Sequence, residues 1–314
     1  MTIQHTQQMT DWWQATFPNG RQSLQIADAN ESLVSIAYGE VGNGQPLVLV
    51  HGVGVWSHYW RHNIAALSQH FRVICFDSKG SGFSDRPLAP EAVGHQVLEL
   101  ARILNILCDR PAVLVAESLG ALTTLALAAE HAHLVDRMIV INVPIFPKEL
   151  PSWGMKMLSN LPLEVVRVAD FFRVPKTFAP FTRMIAAIAR RDVVIDPSAI
   201  TTDDVYWATY PYIEFPYTLT KLAEDLQIGL QQINNLIEGR PSYIRDIQQG
   251  LSSIHTPTLI LWSAQDTWFP VEDGHQLHQA LPHSILRIIP NCGHQAAAGS
   301  PDFVNQAILS FLNG

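Results

Sequence analysis

Short apolar runs alternate with amphipathic segments along most of the chain. The runs are four to eight residues long and lie at residues 24–27, 33–38, 46–50, 71–77, 112–116, 137–143, 256–263 and 284–289, and most of them show no polar alternation. Such runs are typical of strands buried on both faces. Between them we predict helices at residues 59–69, 91–107, 271–280 and 301–312, and in the second of these the apolar side chains recur at spacings of three and four. We therefore expect a mostly parallel central sheet with helices on both faces.

The alternation stops in the middle of the chain, where prolines recur and strand-like runs disappear. We predict a helical insertion at residues 146–240, which divides the core domain into residues 1–145 and 241–314. Most of its aromatic side chains are expected to pack within the insertion itself; they are Trp153, Phe171, Phe172, Phe178, Phe181, Tyr206, Trp207, Tyr210, Tyr212, Phe215 and Tyr217. Since the chain leaves the sheet after Val143, some of its apolar surface should cover the edge where ligands bind in such sheets, as a lid.

Composition narrows the class of protein. The chain has 314 residues, 47% of them hydrophobic, and a formal net charge of −8. That mild acidity argues against nucleic acid or an anionic membrane as a partner, because both attract basic surfaces. No apolar run reaches the roughly 18 residues of a membrane span, so we expect no stable membrane insertion. The three scattered cysteines, Cys75, Cys108 and Cys292, indicate neither disulfides nor zinc and favour a cytoplasmic location.

Candidate chemistry begins where the run at residues 112–116 passes into a leucine-rich helix within two residues. So sharp a turn projects the side chain at its apex, Ser118, above the sheet edge. Small residues flank it at Ala116 and Gly120, where a larger side chain would meet neighbouring backbone. The alternative is a helix-capping serine, which is the more common role of a serine at this position.

A serine hydroxyl needs a base to remove its proton and a third group to orient that base. Asp266 follows the run at 256–263, and His294 follows the run at 284–289. Each could instead be an ordinary loop residue. Their types, their order along the chain and their positions beyond strand ends together predict a triad with Ser118.

An acyl-transfer site also needs two backbone N–H groups to bind the oxyanion. Leu119 offers one at the start of a helix, and Val53 offers the other after a glycine turn. The remaining pocket residues that we predict are His51, Gly52, Trp56, Glu117 and Trp268. We predict no metal site: His275 and His278 have helical spacing but no third ligand, and they are expected to lie at the surface.

Taken together, these motifs resemble the α/β-hydrolase superfamily in its capped branch, over nearly the whole chain from Leu33 onward. The motifs that carry the resemblance, in order, are Leu-Val-Leu-Val-His-Gly, Phe-Asp-x-x-Gly-x-Gly-x-Ser, Ala-Glu-Ser-Leu-Gly, Pro-Thr-Leu-Ile-Leu-Trp-Ser-x-x-Asp and Cys-Gly-His. Two positions depart from the family pattern: Ala116 replaces the first glycine of the elbow, and Ser263 stands where glycine is usual before the acidic residue.

The resemblance implies an α/β-hydrolase fold with an inserted helical cap and no cofactor. A serine nucleophile excludes the dehalogenase and epoxide hydrolase reactions, which use a carboxylate. We therefore expect a serine esterase that cleaves carboxylic esters of a small or medium apolar substrate. Two alternatives stay open: hydrolysis of a C–C bond in a diketone-like substrate by the same triad, and a non-hydrolytic ligand-binding or biosynthetic role. The sequence does not fix the oligomeric state.

Overall fold

An eight-stranded sheet organises the molecule, as seen in a computed structural model that describes residues 11–313. Its strands, in chain order, are β1 (Gln22–Ala27), β2 (Leu33–Val41), β3 (Pro46–Val50), β4 (Arg72–Phe76), β5 (Ala112–Glu117), β6 (Val135–Ile141), β7 (Thr258–Ser263) and β8 (Ser284–Ile289). Their order across the sheet is β1-β2-β4-β3-β5-β6-β7-β8. β2 pairs antiparallel with β1 and β4, and every other pairing is parallel. The predicted mostly parallel sheet is confirmed.

Helices connect the strands. They are α1 (Trp12–Thr16), α2 (Ile64–Leu67), α3 (His95–Leu107), α4 (Leu119–Glu130), α5 (Trp153–Asn160), α6 (Leu163–Phe171), α7 (Val174–Thr177), α8 (Ala179–Ala189), α9 (Thr202–Glu214), α10 (Thr218–Ile237), α11 (Tyr243–Gly250), α12 (Val271–Ala280), α13 (Ala296–Gly299) and α14 (Pro301–Asn313). Short 3-10 turns lie at Ser57–Trp60, Ala132–Leu134, Arg190–Asp192, Pro197–Ala199 and Leu251–Ser253. None of the helices in the described chain is both long and apolar enough to cross a bilayer.

The central strands β3 to β7 are buried on both faces, which explains why they are almost uniformly apolar. Along β5, Leu114 and Ala116 join the hydrophobic core beneath α3 and α4, whereas Val113 and Val115 join the opposite core with α14. A strand with two buried faces has no polar side to display. Pairing of Val50 with Ala116 brings the carboxyl ends of β3 and β5 to one edge.

Helix boundaries differ locally from the sequence prediction. The helix predicted at 91–107 begins only at His95, because Gly94 adopts a left-handed conformation with φ of 78°. Val93 consequently lies outside the helix and is exposed. The predicted helix at 59–69 is replaced by a 3-10 turn at Ser57–Trp60 and the single-turn α2. The segment between β6 and β7 contains helices α5 to α11 and no strand among the described residues.

Candidate active site

Ser118 occupies a strained turn between β5 and α4. Its φ of 56° and ψ of −127° are unusual for a residue other than glycine. Although it precedes the first residue of α4, its side chain makes no capping hydrogen bond, which argues against a capping role. Gly120 is required by close approach: a Cβ there would lie 2.5 Å from the carbonyl oxygen of His51. The turn therefore presents the serine hydroxyl at the sheet edge.

The structure brings together the three residues predicted as a triad. His294 Nε2 lies 3.1 Å from Ser118 Oγ, and His294 Nδ1 lies 2.8 Å from Asp266 Oδ2. Since an ionised carboxylate only accepts, the Nδ1–H donates to Asp266. This leaves Nε2 of the neutral imidazole as the acceptor for the serine proton. The three loops that carry these side chains follow β5, β7 and β8.

Asp266 is fixed by further hydrogen bonds. Its Oδ1 accepts from the backbone N–H groups of Trp268 and Phe269, at 2.8 and 3.1 Å. Both rings also pack against the imidazole of His294, with centroid separations of 4.5 and 5.4 Å. The same short loop therefore holds both the carboxylate and the histidine ring.

Asn142 forms hydrogen bonds both to the end of β7 and to the loop that carries His294, a role that we did not predict. Its backbone takes φ of 47° directly after β6. Its Nδ2 donates to the carbonyl of His294 at 2.7 Å and to Ser263 Oγ at 3.0 Å, and its Oδ1 accepts from the Ser263 N–H. The hydroxyl of Ser263, where the family pattern has glycine, therefore takes part in this bridge. A polar residue at the end of an apolar strand was the only sequence signal.

Glu117 also supports the histidine loop. Its carboxylate accepts from the backbone N–H groups of Ala296 and Ala297, at 2.8 and 3.1 Å, two and three residues beyond His294. Burial raises the pKa of Glu117 to about 7, against its usual value of 4.5, although these hydrogen bonds oppose the change. Glu117 therefore connects the serine turn to the histidine loop.

Residues 51–53 approach Ser118 closely. A Cβ on Gly52 would lie 3.0 Å from Ser118 Cβ, and Val53 lines the same cavity as Ser118. Ser78 N–H donates to His51 Nε2 at 3.0 Å, so Nδ1 carries the proton and donates to the Gly52 carbonyl at 2.8 Å. Burial lowers the pKa of His51, which favours this neutral form. The imidazole thus fixes the peptide group between Gly52 and Val53, which carries the Val53 N–H.

A cavity of about 100 Å³ opens beside Ser118. It is lined mostly by apolar side chains from the core and the helical segment; among them are Val53, Leu119, Leu122, Leu150, Met155, Leu226, Ile233 and Trp268. Glu149 and Asp225 also line it, and none of the lining residues in the described chain is Lys or Arg. The cavity is therefore suited to an apolar, uncharged group.

Four of the five predicted pocket residues do not line this cavity. Trp56 is buried in the core, where its Nε1 donates to the Trp207 carbonyl at 2.8 Å. Glu117 points toward the histidine loop instead. His51 and Gly52 line a smaller cavity of about 40 Å³ that adjoins Val53 and Leu119. Of the five predicted pocket residues, only Trp268 lines the larger cavity.

One buried group has the composition of a metal site. Glu91, His95 and Glu99 place their ligand atoms within 4.8 Å of one another. Lys79 Nζ, however, lies 2.8 Å from Glu91 and 2.6 Å from Glu99, and it supplies the positive charge that these carboxylates need. Although burial opposes protonation, hydrogen bonds with Asp225 and Glu99 raise the pKa of His95 to about 9. The group is an ion-pair network in which the lysine takes the place of a cation.

Comparison with known proteins establishes the family. Residues 45–298 match the family model described as the alpha/beta hydrolase fold. The chain therefore belongs to the α/β-hydrolase family, as the strand order and the serine turn indicate.

Similar proteins span most of the chain. A 2-hydroxy-6-oxo-6-(2'-aminophenyl)hexa-2,4-dienoic acid hydrolase of Metapseudomonas resinovorans is 26% identical over 90% of this chain and 89% of its own. A 2-hydroxy-6-oxo-6-phenylhexa-2,4-dienoate hydrolase of Comamonas testosteroni is 24% identical over 94% and 96%. In fold, a thermophilic esterase from Thermogutta terrifontis is similar, with a TM-score of 0.71, 23% identity and coverage of 93% and 98%.

Proposed function

We propose that this protein is a serine hydrolase that cleaves carboxylic esters through an acyl-enzyme on Ser118. The observation that carries the proposal is the continuous hydrogen-bonded series from Ser118 through His294 to Asp266. His294 would take the hydroxyl proton as the serine oxygen attacks the ester carbonyl, then return it to the leaving alcohol. A water molecule activated by the same imidazole would release the acid, while Asp266 stabilises the imidazolium.

The backbone N–H groups of Val53 and Leu119 would bind the oxyanion. Both residues line the cavity beside Ser118, and Leu119 is the first residue of α4, where the helix dipole favours negative charge. Loss of one such donor typically costs about 3–4 kcal/mol of transition-state stabilisation. The neutral His51, which holds the Gly52 carbonyl, would keep the Val53 N–H in place.

The lining of the cavity supports a small or medium apolar acyl or alcohol group. We propose that residues 146–240 form a cap over the core, because α5 and α10 supply Met155, Leu226 and Ile233 to the cavity. Movement of this cap would control entry.

Cleavage of a C–C bond is the second candidate, and the names of two relatives favour it. Those names describe dienoic acid substrates, which carry a carboxylate. Here the described lining supplies Glu149 and Asp225 and no Lys or Arg. Because no Lys or Arg of this lining can pair with a substrate carboxylate, desolvating one there is unfavourable, and the cavity favours an uncharged ester over such an acid. A ligand-binding role without turnover is the third possibility.

Hydrolysis assays with p-nitrophenyl esters of graded chain length, and with a dienoate diketone as a second substrate, test these alternatives. We expect ester turnover that falls by at least about 10³-fold in Ser118→Ala. Ser159→Ala is the matched control, since Ser159 is a buried serine within α5 that donates to the Lys156 carbonyl. A fluorophosphonate probe should label the peptide that contains Ser118. Full activity of Ser118→Ala, or preferential turnover of the dienoate, would refute the esterase proposal.

A further inference from the structure

Exposed apolar side chains are concentrated in one part of the chain. Among the residues that the structure describes, 20 large hydrophobic side chains are exposed, and 14 of them lie within residues 153–195. Five of the eleven aromatic residues expected to pack inside the insertion belong to this group; they are Trp153, Phe171, Phe172, Phe178 and Phe181. Scattered exposed apolar residues are normal, but so dense a group marks an interaction surface. We call the exposed apolar residues of 153–195 the outer face.

The spacing of these residues shows that the outer face follows helix surfaces. On α8 the exposed residues Phe181, Met184, Ile185 and Ile188 recur at three and four. On α6, Val165 and Val168 have the same spacing, while Val166 faces the interior. α8 buries none of its residues. Its apolar stripe therefore points away from the protein, the reverse of an ordinary surface helix.

The charge of this segment differs in sign from that of the rest of the protein. Residues 153–195 contain seven Lys and Arg and three Asp and Glu, a formal charge of +4, against −8 for the whole chain. Lys156 and Lys176 form ion pairs with Glu149 and Glu214, which lie outside this range, but the two lysine side chains are 40% and 52% exposed, and such pairs are weak in water. The exposed apolar stripes are thus accompanied by basic side chains.

Apolar helix faces flanked by basic side chains are typical of helices that lie in the interface of a bilayer. A second copy of this chain is a poorer partner, because a two-fold contact would bring two segments with an excess of basic residues together. Negatively charged lipids neutralise the same charge. The acidic residues in the rest of the protein do not prevent this contact, because salt screens them. The Debye length is about 8 Å at physiological salt, whereas the radius of gyration is about 20 Å for a chain of this length.

We propose that the outer face binds the surface of a bilayer that contains anionic lipids, as a peripheral contact. The net charge of the whole chain argued against an anionic membrane as a partner, because it sums acidic and basic parts of the protein. α5 links the outer face to the cavity: Met155 lines the cavity, whereas Trp153 and Met157 on the same helix are exposed. Bound in this way, the protein would hold the roof of the cavity against the lipid, where apolar molecules partition.

Co-sedimentation with vesicles tests the proposal. The full chain is mixed with vesicles of phosphatidylcholine alone, or of phosphatidylcholine and phosphatidylglycerol in equal parts. We compare Ile185→Gln/Ile188→Gln on α8 with the control Leu33→Gln/Ile285→Gln, which changes two exposed apolar residues outside the outer face. Neither pair alters net charge or touches the catalytic residues. Turnover of a short soluble ester reports whether each variant is folded.

We expect binding to the mixed vesicles that weakens with added salt and exceeds binding to phosphatidylcholine alone. Affinity should fall about tenfold or more in the α8 variant and remain unchanged in the control. Three results would each overturn the proposal: absence of binding at low salt, equal binding by both variants, or concentration-dependent dimerisation that the α8 variant abolishes. The last would assign the outer face to a second copy of the chain.

Discussion

Glu117 gives a stability prediction whose size follows from the structure. The carboxyl is fully buried, and burial raises its pKa to about 7 from its usual 4.5. Because the folded pKa lies above the unfolded one, the folded state binds the proton more tightly. The stabilisation that comes from this tighter proton binding is fully present below pH 4.5 and is lost as the pH rises to about 7. The difference corresponds to about 3 kcal/mol in the free energy of unfolding.

Glu117→Gln removes the titration while keeping the shape of the side chain. One amide oxygen cannot replace both carboxylate oxygens, so one of the N–H groups of Ala296 and Ala297 loses its acceptor. That costs roughly 1–3 kcal/mol at every pH. Relative to wild type, however, the variant should gain about 3 kcal/mol between pH 4.5 and pH 8, because only the wild type loses stability across that window.

Urea unfolding of both proteins at half-unit pH intervals measures how the difference in free energy of unfolding between wild type and Glu117→Gln changes with pH. Glu238→Gln is the control, since it makes the same chemical change at a side chain that is 54% exposed. A constant difference for Glu117→Gln over the same range would refute the reasoning. It would mean that the carboxyl titrates equally in the folded and unfolded chain.

Two further changes test the site. Asn142→Ala should destabilise the fold by roughly 2–4 kcal/mol and lower kcat with little effect on KM. The reason is that the Ser263 N–H loses its acceptor and the carbonyl of His294 loses its donor. An unaltered kcat would show that Asn142 does not position the histidine. Ile233→Ala, at the cavity wall, should raise kcat/KM for longer esters relative to short ones by roughly tenfold. Competition between esters of two chain lengths measures the ratio, and an unchanged ratio would place the acyl group elsewhere.

The sequence by itself determined the sheet, the serine turn and the order of the three catalytic candidates. Each depends on local chemistry: uniformly apolar runs form strands buried on both faces, and small residues beside Ser118 permit a sharp turn. The positions of Asp266 and His294 beyond strand ends were enough to bring them to one edge, since parallel strands end together.

Only the tertiary structure decided the partners of buried polar groups and the direction of the helix faces. The contacts of Glu117 with Ala296 and of Asn142 with His294 join residues more than 150 positions apart, so no local pattern reports them. Trp56 likewise lies in the core and not at the cavity, and its hydrogen-bond partner Trp207 is 151 positions away along the chain. On α8, an amphipathic pattern predicts a stripe but not which side meets the protein, because both orientations share one periodicity. Packing against neighbouring helices chooses between them.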